Sequence, residues 1–180
     1  MVKQEIKLEN KKIKVGILGG SFDPAHKGHL AISREAKKKF KLKIIIWAIT
    51  KKNPFKKESK KSVPVRIRYC KKIIGKNSFI KVKFYENIIK SNKTINLINY
   101  LKKDKKIEIY FLMGADNLIH FHKWHKSQLI SQKCNILVFD RHGYKKNSLK
   151  SKTFKLLGKT NLKFIKFDKV NISSSQLRKI

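Results

Sequence analysis

Six short apolar runs punctuate the 180-residue chain: "KIKVGIL" (12–18), "KIIIWAI" (43–49), "FIKVKF" (79–84), "IEIYFLMG" (107–114), "CNILVFD" (134–140) and "LKFIKF" (162–167). Most are separated by stretches with helical spacing. That alternation constrains the fold more than any other feature, because strand–helix–strand units cross over right-handed and build a parallel sheet. The run at 43–49 is almost continuously apolar, as a strand buried on both faces requires. The run at 79–84 alternates strictly, as a strand covered on one side does. Ile32, Ala36 and Phe40 fall on one helical face, as do Val65, Tyr69 and Ile73, and "TINLINYL" (94–101) is a further helix. A short helix begins near Ala115, and "SSSQLRKI" closes the chain as a helical start. The expectation is an α/β chain with one doubly wound, mainly parallel sheet. It is a single domain over 1–180, with a polar extension over 1–11.

In such sheets ligands bind beyond the carboxyl ends of the strands, where the winding reverses. The stretch "GSFDPAHKGHLAIS" (20–33) lies there, at the end of the first strand. Gly19 and Gly20 let the backbone approach a ligand closely. Gly28 and His29 open a helix whose amide end and dipole favour phosphate. His26 and His29, three residues apart, can point toward one ligand, and an imidazole can donate a hydrogen bond to it. No carboxylate nearby completes a metal site, so no metal ligands are assigned. A second anion-binding pattern, Ile172-Ser173-Ser174-Ser175-Gln176-Leu177-Arg178, sets hydroxyls and amides at a helix start with an arginine on the next turn. Two weaker patterns also follow strands: Met113-Gly114-Ala115-Asp116-Asn117 with Trp124 beyond it, and Arg141-His142-Gly143-Tyr144.

Charge raises a rival reading. Lys+Arg number 46 against Asp+Glu 11, a formal net charge of +35. A nucleic-acid binder would be this basic. The basic residues, however, are lysines spread along the whole chain. Only Arg34, Arg66, Arg68, Arg141 and Arg178 offer the bidentate fork that nucleic-acid readers favour. A solvated lysine coat is therefore expected, one that draws in phosphorylated ligands without setting specificity. Cys70 and Cys134 have no CxxC spacing and sit in apolar segments as buried thiols. The amino terminus has no apolar core of a signal peptide, and no run is long enough to cross a membrane. A cytoplasmic protein with no membrane partner is expected.

"GSFDPAHKGHL" together with "ISSSQLR" resembles the nucleotidyltransferases whose signature is His-x-Gly-His followed late in the chain by Ile-Ser-Ser-[Ser/Thr]-x-x-Arg. Within them "MGADNL", Trp124, "RHGY" and "WAITKKNPFK" (47–56) are similar to the bacterial nicotinate-nucleotide adenylyltransferases. Asn92-Lys93-Thr94-Ile95-Asn96-Leu97 stands where members often carry Ser-Tyr-Thr-x-x-Thr-Leu. The resemblance implies a Rossmann-like domain that moves AMP from ATP to nicotinate mononucleotide, releasing pyrophosphate. It implies His26, His29 and Arg178 as catalytic residues. It places ATP on Gly19, Gly20, Ser21, Phe22, Gly28, Gly114, Asp116, Ile172, Ser173 and Ser174 as well. Thr94, Asn117, Trp124, Arg141 and Lys56 fall to the acceptor, and Mg²⁺ arrives on the ATP phosphates. The alternatives are a pantetheine-phosphate adenylyltransferase, sharing the first and last motifs, and a basic RNA-binding protein with a vestigial nucleotide site.

Overall fold

The computed structural model describes residues 12–52, 59–140, 143–157 and 161–166. Six strands form one all-parallel sheet: β1 (Ile13–Gly20), β2 (Ile44–Ile49), β3 (Ile80–Lys83), β4 (Ile107–Gly114), β5 (Asn135–Phe139) and β6 (Leu162–Ile165). Their order is β3-β2-β1-β4-β5-β6. The chain winds outward from β1 one way and then from β4 the other, so the winding reverses between β1 and β4. The sheet is doubly wound, as the sequence implied.

Among the described residues two helices cover one face, α1 (Lys27–Phe40) and α2 (Val63–Ile74). Leu18, Ile45, Trp47, Leu112 and Phe139 from the strands pack there against Ala36, Cys70 and Ile74. On the other face Val15, Ile17, Ile109, Phe111, Ile136 and Val138 pack under α4 (Thr94–Leu101), α5 (Ala115–Leu118) and α6 (Ser127–Lys133). Burial on both faces explains why β1, β2, β4 and β5 are near-continuous apolar runs. β3 is an edge strand; its Lys81 and Lys83 are exposed while Ile80 is buried. At Gly16 a Cβ would stand 2.9 Å from the Ile45 side chain and 3.0 Å from Leu42, so any larger residue would force these side chains to shift.

Helix α2 departs from expectation. Val65 and Tyr69 are exposed, and the buried residues are Arg66, Cys70 and Ile74, one position further round. An apolar-period argument misses this stripe because its first member is an arginine. Five further elements carry too few residues for a helical period: α3 (Glu86–Ile89), a 3₁₀ turn (Phe121–Lys123), α6, α7 (Lys145–Leu149) and α8 (Lys152–Leu157). Both cysteines are buried free thiols, and burial pushes each up to about 12. Among the described residues no helix is long and apolar enough to cross a membrane.

Candidate active site

Helix α1 is capped by histidines rather than by the usual hydroxyl or carboxylate. His26, in extended conformation, is the N-cap, so the helix begins at Lys27, one residue before the expected Gly28. The Gly28 N–H donates to His26 Nδ1 at 3.1 Å, and the His26 N–H donates to His29 Nδ1 at 3.2 Å. The His29 N–H donates to the His26 carbonyl at 3.0 Å, so the Gly28 and His29 amides, which the sequence left open to a phosphate, are both already engaged. The exchange has a chemical consequence. With Nδ1 accepting, the ring proton of each neutral imidazole stands on Nε2. Each ring thus carries its N–H donor on the nitrogen that takes no part in the cap, and the ring centroids are 3.8 Å apart.

The pair is backed by a column of rings. His29 lies 4.8 Å from Phe22, and Phe22 stacks on Trp47 at 5.1 Å and 14°. Phe22 and Trp47 are almost wholly buried. The indole of Trp47 donates to Ser33 Oγ at 2.9 Å, and that hydroxyl donates to the His29 carbonyl at 2.8 Å. Leaving a buried indole N–H unpaired costs about 1–3 kcal/mol, so this chain holds His29 as well as satisfying Trp47. Sequence reasoning missed Ser33 and Trp47. The i+4 spacing from His29 to Ser33 and the polar edge of a strand tryptophan were the available signals.

Gly19 and Gly20 end β1, the strand beside the point where the winding reverses. Their bare α-carbons face opposite sides. A Cβ on Gly20 would meet the Phe22 ring at 3.4 Å; one on Gly19 would meet Phe111 at 3.7 Å. Phe111 in turn meets Trp124 edge-on at 6.0 Å. The histidines therefore stand on one side of the β1 end and Trp124 on the other. Trp124 is half-buried against Phe111 and Phe121. Its turn is fastened by Thr153 Oγ1, which takes the His122 N–H and contacts His122 Nδ1, both at 3.0 Å.

At the end of β4, Gly114 is the N-cap of α5 and Asp116 folds back over it, so close that a Cβ on Gly114 would lie 2.5 Å from Asp116 Oδ1. Asn117 is half-buried on the same turn. Thr94 is half-buried at the first turn of α4, on the Trp124 side of the sheet. Gly19, Gly20, Ser21, Phe22, His26, Gly28, His29, Gly114, Asp116 and Asn117 thus meet around the ends of β1 and β4. Lys56, Arg141, Ile172, Ser173, Ser174 and Arg178 lie outside the described residues. Among the described residues no group of three His, Cys, Asp or Glu could hold a metal ion.

Arg66 is a site residue the sequence did not single out. It is 2% exposed, and burial lowers it from its ordinary value. Its guanidinium donates to the carbonyls of Ser21 (2.5 Å), Thr50 (2.8 Å), Lys61 (3.0 Å) and Lys51 (3.4 Å).

Residues 17–180 match the cytidylyltransferase-like family. The chain is 68% identical over 180 residues, the whole of both chains, to a Pelagibacter ubique (strain HTCC1062) protein named "Probable nicotinate-nucleotide adenylyltransferase". A Clostridium botulinum (strain Eklund 17B / Type B) protein of the same name is 34% identical over 171 residues, covering 92% of this chain and 84% of the relative. Among solved structures, the Plasmodium falciparum nicotinic acid mononucleotide adenylyltransferase complexed with NaAD superposes with a TM-score of 0.75 at 22% identity, over 92% of this chain and 82% of the other. At that identity the likeness is one of fold.

Proposed function

The chain belongs to the cytidylyltransferase-like family and, within it, to the nicotinate-nucleotide adenylyltransferases; from that membership we propose that it transfers the adenylyl group of ATP to nicotinate mononucleotide, giving nicotinate adenine dinucleotide and pyrophosphate in NAD biosynthesis. An oxygen of the mononucleotide phosphate attacks the α-phosphorus of ATP. The bond from that phosphorus to the β-phosphate bridging oxygen breaks, and pyrophosphate leaves with its electrons. The attacking group is already an anion, so no protein nucleophile or general base is required. Rate then comes from alignment and from donors placed where charge accumulates, of which alignment alone supplies about 7–11 kcal/mol.

One observation carries this reading: two imidazoles joined in one capping box through their Nδ1 atoms, at a strand end bared by two glycines. Neutral donors fixed before substrate arrives suit a phosphoryl group passing between two phosphates. His29 takes the α-phosphate and His26 the neighbouring one. Arg178, with Ile172, Ser173 and Ser174, takes the β/γ end and the departing pyrophosphate. Gly19, Gly20, Ser21, Phe22 and Gly28 line the nucleotide cleft, and Asp116 and Gly114 meet the adenosine ribose. On the far side of the β1 end Trp124 stacks on the pyridine ring, Thr94 and Asn117 receive its carboxylate, and Lys56 and Arg141 contact the acceptor phosphate. A divalent cation, Mg²⁺ in this reading, enters with ATP as part of the substrate and offsets phosphate charge. The whole chain, 1–180, acts as one cytoplasmic domain, and its lysine coat serves no specific nucleic acid.

The test is pyrophosphate release with ATP and each of nicotinate mononucleotide, nicotinamide mononucleotide and phosphopantetheine at matched concentration. The expected order in kcat/KM is as written. Preference for phosphopantetheine would reject the acceptor assignment, and preference for the amide would reject the carboxylate pocket alone.

A further inference from the structure

Two charged side chains grip the same dipeptide at the end of β2, and neither has a role in the scheme above. Arg66 reaches the Thr50 and Lys51 carbonyls from inside α2. From α3, Glu86 Oε1 accepts the Thr50 hydroxyl at 2.5 Å and the Lys51 N–H at 3.2 Å. Both carbonyls of this dipeptide thus face one cation, while the Thr50 hydroxyl and the Lys51 N–H meet one anion. The same guanidinium also holds Ser21 on the β1 exit and Lys61 on the chain entering α2. Two further bonds join these segments: the Thr50 N–H donates to the Gly20 carbonyl at 3.0 Å, and the Lys60 N–H donates to Asp23 at 2.6 Å.

We propose that Arg66 and Glu86 are positioning residues for adenylyl transfer, clamping the Thr50–Lys51 turn and through it the Ser21–Phe22 segment on which the His29 ring rests. The proposal rests on the nucleotidyl-transfer reading of the histidine site. The path is short. Arg66 pins the Ser21 carbonyl, and the next residue, Phe22, takes a left-handed φ of 49° that a bulky side chain rarely adopts. That turn lays the Phe22 ring between Trp47 and His29. An arginine is needed rather than any cation, because a planar fork with five donors can bridge carbonyls on three chain segments, whereas an ammonium concentrates its donors on one nitrogen. Substrate affinity is gathered over many remote contacts, but the transfer step depends on alignment, and a shift of about 1 Å can cost 100-fold in rate. The clamp therefore acts on kcat more than on KM.

The experiment compares Arg66→Lys, Glu86→Ala and Glu86→Gln with the parent. Turnover is measured with whichever acceptor the parent uses best, so an error in the acceptor does not affect the comparison. Arg66→Lys should lose about 10- to 100-fold in kcat and Glu86→Ala about 10-fold, with both KM values within about threefold of the parent. Glu86→Gln keeps the accepting oxygen and should restore kcat to within about threefold. Amide exchange, which needs no turnover, should quicken at Thr50 and Lys51 in Glu86→Ala and leave α1 unchanged. If Arg66→Lys does not fold, the two Glu86 variants decide. Parent-like kcat in Glu86→Ala, unchanged exchange at Thr50 and Lys51, or a loss confined to KM would each overturn the clamp.

Discussion

His29 serves the fold and the site through different nitrogens, so the two duties can be separated by mutation. Nδ1 accepts the His26 N–H and completes the cap of α1, while Nε2–H is the donor assigned to the α-phosphate in the proposed reaction. In His29→Asn the amide oxygen occupies the place of Nδ1 and keeps the cap, but nothing reaches the position of Nε2. In His29→Gln the longer amide returns an N–H near the Nε2 position and gives up the acceptor at Nδ1. Losing one preorganised donor costs about 100- to 1,000-fold in kcat. Losing a cap costs about 0.5–2 kcal/mol, and each kcal/mol moves the midpoint of a chain this long by about 2–4 °C. His29→Asn should therefore fall about 100-fold or more in kcat with Tm within about 2 °C of the parent. His29→Gln should lose several degrees in Tm and retain much more turnover. His29→Ala should suffer both losses, since its ring contacts with Phe22 and His26 also go. Pyrophosphate release and thermal unfolding on the same preparations provide the readout. If His29→Asn turns over normally, or melts as early as His29→Ala, the division of labour between the two nitrogens is refuted.

Trp124→Ala should raise KM for nicotinate mononucleotide about 10-fold and leave KM for ATP nearly unchanged, because the indole stands across the β1 end from the histidines; equal effects on both substrates would remove it from the acceptor pocket. Cys70 and Cys134 stay protonated in the folded chain to about 12, whereas an exposed thiol ionises near 9.0. Between those values the unfolded state has released protons that the folded state keeps, so stability falls as pH rises, by up to about 1.4 kcal/mol per pH unit and thiol. Denaturant midpoints measured from about pH 8 to about pH 11 should show that decline, and replacing both cysteines by alanine should flatten it. Labelled RNA should bind weakly and be released steeply by salt; tight, sequence-dependent binding near physiological salt would show that the +35 charge serves a nucleic acid.

The alternation of apolar runs was sufficient to specify a parallel α/β sheet, because strands covered on both faces leave no polar positions to obscure the period. His-Lys-Gly-His after a Gly-Gly strand end singled out the candidate site, since the residues that shape it are adjacent in the chain. The buried face of α2 could not be read, because its stripe opens with Arg66, whose charge is met by carbonyls from Ser21, Thr50, Lys51 and Lys61. No local window contains those partners. The short helices at 86–89, 127–133, 145–149 and 152–157 were also hidden, since four to seven residues span at most two turns and leave little period to detect. Chain order likewise left open that Ser33 would carry a hydrogen bond from Trp47 to His29, or that Trp124 would come to rest beside Phe111 across the β1 end from the histidines. Such contacts depend on how strands and helices pack after the sheet has formed, and they join residues whose separation in sequence has no fixed relation to their separation in space.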